Sequence, residues 1–552
     1  MSARAGWASA AVVVVAVAGI LLASQPITSP WWTGGDADSV YLSSGVSLMG
    51  GRPTRYFDHP GTPLQEALAA TLEARWAIAG SGSRSAQADA TFRNLDSTRP
   101  YFRGWALFLY FGSALAVAAA VGLLARDWRA GGLGGLLFLG APQVILYSIE
   151  LRPDVVLGAL SVGVVALLVA AVRRRSAALY LWAAALLGFS VTVKLHAAGL
   201  LLPFLVALAL ARPPDDWSER LAVDASRGLR KRRAVVLAAC IVYLVLLVVL
   251  NLGSAGAPRA HLVSFVAAVA VVVAAAALAF RLLGRTRFRA LGTLVPALVV
   301  AALAGAVLPN LFYAGAVPTM ARWVTLGLLG RGVNSDASPL VSGLGALKPW
   351  IPYAILAVIG LGRALRAREW ESLLWASGVA AMALLAAARF ATPHYFIPAV
   401  ALSIPLVLRA VTPTGRPAGA LALVAAVLLL VIPVRDGIRQ GRELGRLSDR
   451  SQRLNGWAVR HLAANQVALT TLPSGDTTYL AYIVQFASSP PALRYRTLPA
   501  NASGIALARQ LGLRVRYVVH DPATTVDAGA LGVGTLEPAP GAPNGVDVVA
   551  GA

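Results

Sequence analysis

Long apolar runs recur along the chain and constrain its fold more than any other feature. A helix needs roughly 20 apolar residues to cross a hydrocarbon core about 30 Å thick, and fewer when it is buried in a bundle. About thirteen runs meet this requirement, and we predict a membrane-spanning helix in each of them. The predicted spans are 7–23, 102–125, 132–148, 155–172, 177–193, 197–210, 234–252, 262–280, 290–308, 350–362, 372–388, 396–408 and 419–434.

The composition supports the same interpretation. Hydrophobic side chains make up 57% of the 552 residues, and charged side chains make up only 13%. Soluble globular proteins carry about 25% charged residues, so this chain lies outside their range. The sequence therefore predicts an all-α polytopic membrane protein.

The arginines and lysines predict which way the chain crosses the membrane. They cluster in alternate connections, as the positive-inside rule requires of cytoplasmic loops. The basic connections are 126–129, 173–175, 212–233, 281–289, 363–368 and 409–416. With these loops inside, the N-terminus is cytoplasmic and the C-terminal region is extracytoplasmic. The chain is rich in Ala, Gly, Val and Arg, as are the proteins of high-GC bacteria. We therefore expect it in a bacterial inner (plasma) membrane.

The formal net charge of +23 could also indicate a nucleic-acid-binding protein. The basic residues, however, fall in short loops, and no stripe of them alternates with aromatic residues as single-strand binding would need. We therefore expect the lipid bilayer, and no nucleic acid, among the partners of this chain.

The chain divides into a membrane domain, residues 1–434, and a C-terminal region, residues 435–552. The first outer loop, 24–101, is too long to be a mere connection. Its segments 39–49 and 64–79 combine apolar and polar residues at helical spacing. We predict that both are interfacial helices.

The C-terminal region has the alternating pattern of a small α/β domain. We predict helices at 436–461, 477–486 and 505–511, and strands at 466–472 and 514–520. The proline-rich stretch 537–543 is expected to be loosely structured.

Two aspartates, Asp36 and Asp38, follow the first predicted span in a chain that is poor in acid. A carboxylate at this position can act as a general base on an acceptor hydroxyl or amine, and two carboxylates can hold a divalent cation. The nearby Trp31, Trp32 and Tyr41 can stack against a sugar or anchor the loop at the interface. The alternative is a helix cap and a solvated loop charge.

His59 lies in the same outer loop, between Asp58 and the stiff Pro60-Gly61 turn. Its ring titrates near neutral pH, so it can donate to a phosphate or position an acceptor. The alternative is a structural turn with one exposed histidine.

The turn between two predicted spans carries Glu150, Arg152 and Asp154 on the outer side. An arginine at membrane depth is costly unless it is paired. Arg152 therefore either pairs with one of the two carboxylates or binds an anionic ligand.

Two further boundaries on the same side carry cations and histidines. Lys194 and His196 stand between two apolar runs, and Arg389, His394 and Tyr395 repeat the pattern of cation, histidine and aromatic ring. The alternative for Lys194 is a side chain that reaches up to the interface without a function. Together these groups suit a substrate with a lipid tail, an anionic phosphate and a polar part outside the membrane, because cations bind phosphate and acids activate an acceptor.

In these residues the chain resembles the GT-C superfamily of integral-membrane glycosyltransferases, particularly the branch with protein O-mannosyltransferases and the bacterial lipid A aminoarabinose transferase. The similarity lies in the acidic motif with its following aromatic residue, the outer turns and the late histidine motif. The residues concerned are Asp36, Asp38, Tyr41, His59-Pro60-Gly61, Glu150-Leu151-Arg152-Pro153-Asp154, Lys194 and His394-Tyr395-Phe396-Ile397-Pro398.

The resemblance implies a GT-C-like fold and transfer of a sugar from a polyprenyl-phosphate donor, with inversion, to a glycan, lipid or protein acceptor on the outer face. It implies that Asp36 or Asp38 is the catalytic base. The donor phosphate is then expected at Arg152, Lys194 and Arg389. Substrate positioning is expected from Tyr41, His59, Glu150, Asp154, His196, His394 and Tyr395.

No cofactor is required in the first interpretation, because metal-independent transfer is common in this branch. Related oligosaccharyltransferases use a divalent cation, so Mg²⁺ or Mn²⁺ stays an alternative, with Asp36 and Asp38 as its ligands.

Two other functions fit the same topology. A flippase or transporter of lipid-linked saccharides would also carry charges at membrane depth, but it would gain little from an acidic outer loop. A polysaccharide polymerase or ligase would use a diphosphate donor, and only the early acidic loop separates it from the first interpretation.

Overall fold

The computed structural model describes residues 3–54, 62–79, 82–210, 297–308, 348–389, 393–411 and 416–550. Within these ranges the side chains of residues 3, 34–37, 79, 209, 388–389, 393 and 416–430 are not described. The predicted spans 234–252 and 262–280 and the turn that carries His59 lie outside the described residues.

Helices dominate the described part of the chain. Those of the membrane domain are α1 (Ala3–Ala23), α2 (Gly35–Met49), α3 (Thr62–Ala79), α4 (Arg84–Arg93), α5 (Arg99–Ala125), α6 (Trp128–Leu139), α7 (Pro153–Arg174), α8 (Ala177–Val193), α9 (Leu201–Leu210), α10 (Ala297–Val307), α11 (Ile351–Arg366), α12 (Ser372–Arg389) and α13 (Ile397–Val411). The long α14 (Arg416–Arg460) leads out of this domain.

Most predicted spans coincide with helices, but the total of about thirteen is not confirmed. Among the described residues, four segments are long and apolar enough to cross a membrane: Arg4–Ala23, Leu95–Ala125, Pro153–Arg174 and His394–Val411. Shorter apolar helices, such as Ala177–Val193 and Ser372–Ala387, stand beside them.

Three predicted boundaries are wrong for local reasons. The span predicted at 132–148 ends as α6 at Leu139, because Pro142 disfavours helical geometry in the residue before it. The span at 197–210 begins as the 3₁₀ turn Leu195–Leu200, so α9 is short. The last span and the following helix, predicted as separate, are one helix, since α14 runs on through Pro433.

The bundle is organised around α7 and α13, which pack against each other. Helices α5 and α8 flank α7, and α11 and α12 flank α13. The buried residues at these contacts are mainly Ala, Val and Leu, including Val162, Val165 and Leu402. Small side chains let helix backbones approach closely, which is how helices associate where lipid supplies no hydrophobic drive.

The basic connections meet at one end of the bundle. Arg173, in the last turn of α7, donates to Glu371 at 3.2 Å and to the carbonyl of Leu124 at the end of α5. Arg409, near the end of α13, pairs with Glu369. The loops that the positive-inside rule places together are therefore close in space, and Lys194 and Pro153 lie at the other ends of their helices.

The first outer loop contains helices at both predicted positions, and Pro63 lies in the first turn of α3. Every residue of α2 from Asp38 to Met49 is buried. Its core includes Trp31 and Tyr41 together with Tyr479 and Ile483 of the C-terminal region. Placement of these helices along the membrane surface stays a prediction.

The C-terminal region is an α/β domain with a five-stranded sheet. Its strands are β1 (Gln466–Thr470), β2 (Thr497–Pro499), β3 (Arg514–Val519), β4 (Leu536–Pro538) and β5 (Val546–Val549), in the order β2-β1-β3-β5-β4. Strands β1, β2 and β3 are parallel, and β5 runs antiparallel to β3 and β4.

Helices cover both faces of this sheet. Leu454 and Ala458 of α14 pack on one face, and Ile505 and Ala508 pack on the other. The helical elements after α14 are α15 (Gly475–Thr478), which continues through the π turn Tyr479–Ile483 into α16 (Val484–Phe486), then α17 (Ala502–Gln510) and α18 (Ala528–Leu531). Of the stretch predicted to be loose, 537–543, the first two residues belong to β4, and the rest forms an irregular turn before β5.

The close approach of α11 and α13 gives a direct test of the packing. A methyl group at Gly360 would overlap the backbone carbonyl of Leu406. We expect Gly360→Ala to lower the melting temperature of the detergent-solubilised protein, because overpacking costs about 1–3 kcal/mol.

Gly362→Ala, two residues further along α11, is the matched control for this substitution. Open space surrounds that position, so the melting temperature should stay the same or rise slightly. Equal losses in the two variants would contradict the close contact between α11 and α13.

Candidate functional site

The turn between α6 and α7 brings several candidate residues together. The chain leaves α6 through the 3₁₀ turn Leu146–Ser148 and enters α7 at Pro153. Proline is favoured at the first position of a helix, where its missing amide hydrogen is not needed. Along this turn Glu150 and Asp154 are buried, and Arg152 between them is partly exposed.

Asp38 attaches this turn to the first outer loop. Its Oδ1 accepts a hydrogen bond of 2.7 Å from the backbone amide of Leu151. Its Oδ2 accepts one of 3.0 Å from Nη1 of Arg103 in α5, which also donates to the carbonyl of Ile149. The Asp38 side chain is fully enclosed, with 0% of its surface exposed.

This geometry corrects the alternative role considered for Asp38. It lies inside α2 rather than at the helix cap, and it is buried rather than solvated. Burial raises its pKa above the ordinary value, and the charge of Arg103 acts against that shift. Asp38 therefore acts as a clamp on the outer turn, held by two hydrogen bonds.

Glu150 and Arg152 form the second ion pair of the site. Nε of Arg152 donates to Oε2 of Glu150 at 2.8 Å. The guanidinium also lies 4.8 Å from the centre of the Tyr147 ring, a cation–π distance. The pKa of Glu150 is raised to about 7. Burial raises it most, the charge of Arg152 lowers it, and the neighbouring charge of Asp38 raises it.

Lys194 and Asp154 form the third ion pair. The Nζ of Lys194 lies 2.7 Å from Oδ1 of Asp154, and the two side chains are 3% and 2% exposed. Lys194 directly follows the end of α8 in an extended conformation, and Asp154 lies in the first turn of α7. The Lys194 ammonium also lies 3.9 Å from the centre of the Tyr395 ring.

Aromatic rings join the second and third ion pairs into one cluster. The centres of the His394 and Tyr395 rings lie 4.2 Å apart. The Tyr395 ring also contacts the ring of His196, with 5.0 Å between the two centres. Tyr147 meets His394 edge to face at 5.7 Å. A continuous path of contacts thus leads from Arg152 to Lys194. We call the residues on it, with their carboxylates, the outer cluster: Tyr147, Glu150, Arg152, Asp154, Lys194, His196, His394 and Tyr395.

The structure therefore brings together most of the residues that the sequence marked on separate boundaries. Tyr41 is different, since it is 2% exposed and belongs to the apolar core of the first outer loop. Asp36 lies in the first turn of α2 and Arg389 is the last residue of α12, but their side chains are not described. The roles of all these residues in catalysis or binding stay predictions.

Sequence reasoning missed Arg103 and gave no separate role to Tyr147. Arg103 lies inside the predicted span 102–125, and a charge at that depth is rare unless it has a partner. That signal marks the position, but it does not reveal that the partner is Asp38, which is 65 residues away in the chain.

A metal site is not visible among the residues that the structure describes, where no group of three or more His, Cys, Asp and Glu side chains comes together. The side chain of Asp36 and the whole of His59 are not among the described parts of the chain. Metal dependence through Asp36 and Asp38 therefore stays a prediction.

The site combines three cations with three carboxylates in a largely buried setting. Arg152 is the most exposed of the six, at 16%. An incoming anion that competes with Glu150 for this guanidinium would gain a charge-assisted, bidentate contact. The arrangement is thus suited to binding a phosphate at the end of the bundle where α7 and α13 begin and α8 ends.

The Lys194–Asp154 pair should behave as a buried ion pair does. Removing one partner leaves an uncompensated buried charge, which costs about 3–5 kcal/mol, whereas replacing both is often nearly neutral. We expect Lys194→Met and Asp154→Leu each to lower the melting temperature in detergent, and the double variant to recover most of the loss. Additive losses in the double variant would contradict the pairing.

The raised pKa of Glu150 should make stability depend on pH. The folded protein holds this proton up to about pH 7, whereas an unfolded glutamate releases it near pH 4.3. The contribution of Glu150 to the free energy of unfolding is therefore largest at low pH. It falls by up to about 3 kcal/mol as the pH rises from about 4.5 to 7.

We expect Glu150→Gln to remove this part of the pH dependence, measured as melting temperature against pH. Glu443→Gln is the control, since that side chain is 64% exposed. If the Glu150→Gln and parent curves are parallel between pH 4.5 and 7, the titrating group is not Glu150.

No protein-family model and no curated protein matches the chain. Among solved structures, the chain is similar to ArnT from Cupriavidus metallidurans bound to undecaprenyl phosphate, with 15% identity, a TM-score of 0.47, and coverage of 98% of this chain and 97% of that one. It is similar also to the same protein in the apo state, with 16% identity, a TM-score of 0.46, and coverage of 99% and 98%.

Proposed function

We propose that this protein is an integral-membrane glycosyltransferase. It moves a sugar from a polyprenyl-phosphate donor to a hydroxyl or amine acceptor on the outer face of the membrane, with inversion at the anomeric carbon. The observation that carries the proposal is the outer cluster, in which contacts through Tyr147, His394 and Tyr395 link Arg152 to Lys194.

The position of the outer cluster favours a lipid-borne phosphate. It lies where α7 begins and α8 ends, with α13 beginning beside them. These helices are apolar along their length, so a polyprenyl chain can lie against them while its phosphate stays at their ends. Arg152 binds the phosphate by exchanging its partner Glu150 for the ligand, and Lys194 adds a second positive charge.

Protonation of Glu150 helps this exchange. Its pKa of about 7 leaves much of the carboxyl neutral at physiological pH, and a bound phosphate raises the pKa further because two negative charges repel. The site therefore accepts a phosphate without gathering an excess of negative charge.

The chemical step needs a base more than an acid. A carboxylate takes the proton of the acceptor while the acceptor oxygen or nitrogen attacks the anomeric carbon from the face opposite the phosphate. The bond from that carbon to the phosphate oxygen breaks, and polyprenyl phosphate leaves with the electron pair. Because the leaving group is a stable anion, no strong general acid is required.

We assign the base to Asp36 and a positioning role to Asp38. Both oxygens of Asp38 already accept hydrogen bonds, from Leu151 and Arg103, within an enclosed site. A general base must reach the acceptor proton within hydrogen-bonding distance. Asp36 lies two residues earlier in the first turn of the same helix, so the Asp38 clamp also fixes the backbone that carries it.

The test is transfer of radiolabelled sugar by the purified protein from a panel of polyprenyl-phosphate sugars, beginning with undecaprenyl phosphate as the carrier. We expect Asp36→Asn to reduce transfer by about 100-fold or more, as loss of a general base does, with donor binding retained. Asp38→Asn should also weaken donor binding and lower the melting temperature, because it leaves Arg103 buried without its carboxylate.

Asp449→Asn is the control for this experiment, since Asp449 is exposed on α14, and it should transfer like the parent. Full transfer by Asp36→Asn, with a loss of chemistry alone in Asp38→Asn, would move the base to Asp38. Donor binding without transfer in the parent, unchanged in both variants, would favour a flippase.

A further inference from the structure

A groove of about 530 Å³ runs along one side of α14, where this helix leaves the membrane domain. The part of the groove nearer the membrane domain is lined by Val431, Val434 and Ile438. Its outer part is lined by four arginines and by Glu443. We call the four arginines Arg435, Arg439, Arg442 and Arg446 the α14 arginine row.

The α14 arginine row follows helical spacing. Steps of four, three and four residues place the side chains on one face of a helix. At 1.5 Å per residue, the row extends for about 16 Å along the helix axis. Arg435, Arg442 and Arg446 are exposed, so the row forms a strip of positive charge rather than a set of scattered surface arginines.

Carboxylates compensate this charge only in part. Within the described residues, Arg439 is the one member of the row in an ion pair, at 3.9 Å from Asp436 and 4.0 Å from Glu443. These contacts are long and solvent-exposed, and such pairs contribute little. Like charges four residues apart repel one another, so a negatively charged ligand would stabilise this stretch of α14.

The row begins at the membrane boundary on the side of the outer cluster. Gln25, two residues after the end of α1, donates to the carbonyl of Gly437, and Gly437 lies against Ile145 of the turn that leads to Glu150. Arginines are usually depleted next to the outer end of a span. Their accumulation here is therefore a feature that topology alone does not explain.

We propose that the groove binds an anionic phospholipid of the outer leaflet. The acyl chain lies against the valines and Ile438, and the phosphate meets the guanidinium groups above them, which bind phosphate oxygens in a bidentate manner. This proposal rests on the outer-face orientation of the proposed function. The bound lipid is separate from the donor and fixes the angle at which α14 presents the C-terminal domain to α2.

The test uses the full-length protein in phosphatidylcholine nanodiscs that contain a small fraction of spin-labelled phosphatidylglycerol, with the immobilised lipid measured by electron paramagnetic resonance. The test variant is Arg435→Gln with Arg442→Gln and Arg446→Gln. The control is Arg494→Gln with Arg509→Gln and Arg514→Gln, which removes the same charge from exposed positions outside α14.

We expect the parent and the control to immobilise phosphatidylglycerol more than labelled phosphatidylcholine. The test variant should bind phosphatidylglycerol about tenfold or more weakly, because each arginine near a membrane surface contributes to anionic-lipid binding. An equal loss in both variants would overturn the proposal, since the attraction would then be diffuse. Displacement of the lipid by millimolar glycerol phosphate would overturn it too, because the site would then take free phosphate.

Sugar transfer is measured separately on the same samples. Immobilised phosphatidylglycerol in a protein without transfer would support the lipid site and count against the glycosyltransferase. Transfer without preference for phosphatidylglycerol would do the reverse, so the two proposals fail independently.

Discussion

The buried contact between Asp38 and Arg103 is the interaction on which the end of the bundle with the outer cluster depends. It joins α2, the beginning of α5 and the backbone of the 149–151 turn, which are far apart in the sequence. Both charges are enclosed, so each requires the other. Because Leu151 stands directly between Glu150 and Arg152, the same contact fixes the turn that carries these two residues.

The other two ion pairs follow the same physical rule with different consequences. Asp154 and Lys194 are almost fully buried, so this pair mainly holds α7 to the end of α8. Arg152 is partly exposed and its partner Glu150 has a pKa of about 7. Arg152 is therefore the most accessible cation of the outer cluster, and the Lys194–Asp154 pair is the more enclosed of the two.

The C-terminal domain is part of the same construction rather than an appendage. Tyr479 and Ile483 share an apolar core with Trp31 and Tyr41, and Trp32 lies against Gly475. The sequence placed Tyr41 near a substrate because an aromatic residue follows the acids. In the structure Tyr41 packs in this core. Its C-terminal neighbours there, Tyr479 and Ile483, are more than 400 residues away in the chain, so the local sequence around Tyr41 does not predict this packing.

Local periodicity was enough to predict the apolar helices of the bundle, the alternation of basic loops, the first strands of the C-terminal domain and the boundaries that carry charged residues. Apolar length and charge placement act through the membrane directly and need no knowledge of neighbours. Which charges pair with each other, in contrast, depends on how the helices pack. Arg103 pairs with Asp38, and Arg152 is linked to Lys194 through Tyr147, His394 and Tyr395. Both sets of contacts form because the packing of α5, α7, α8 and α13 brings distant segments within a few ångströms of each other.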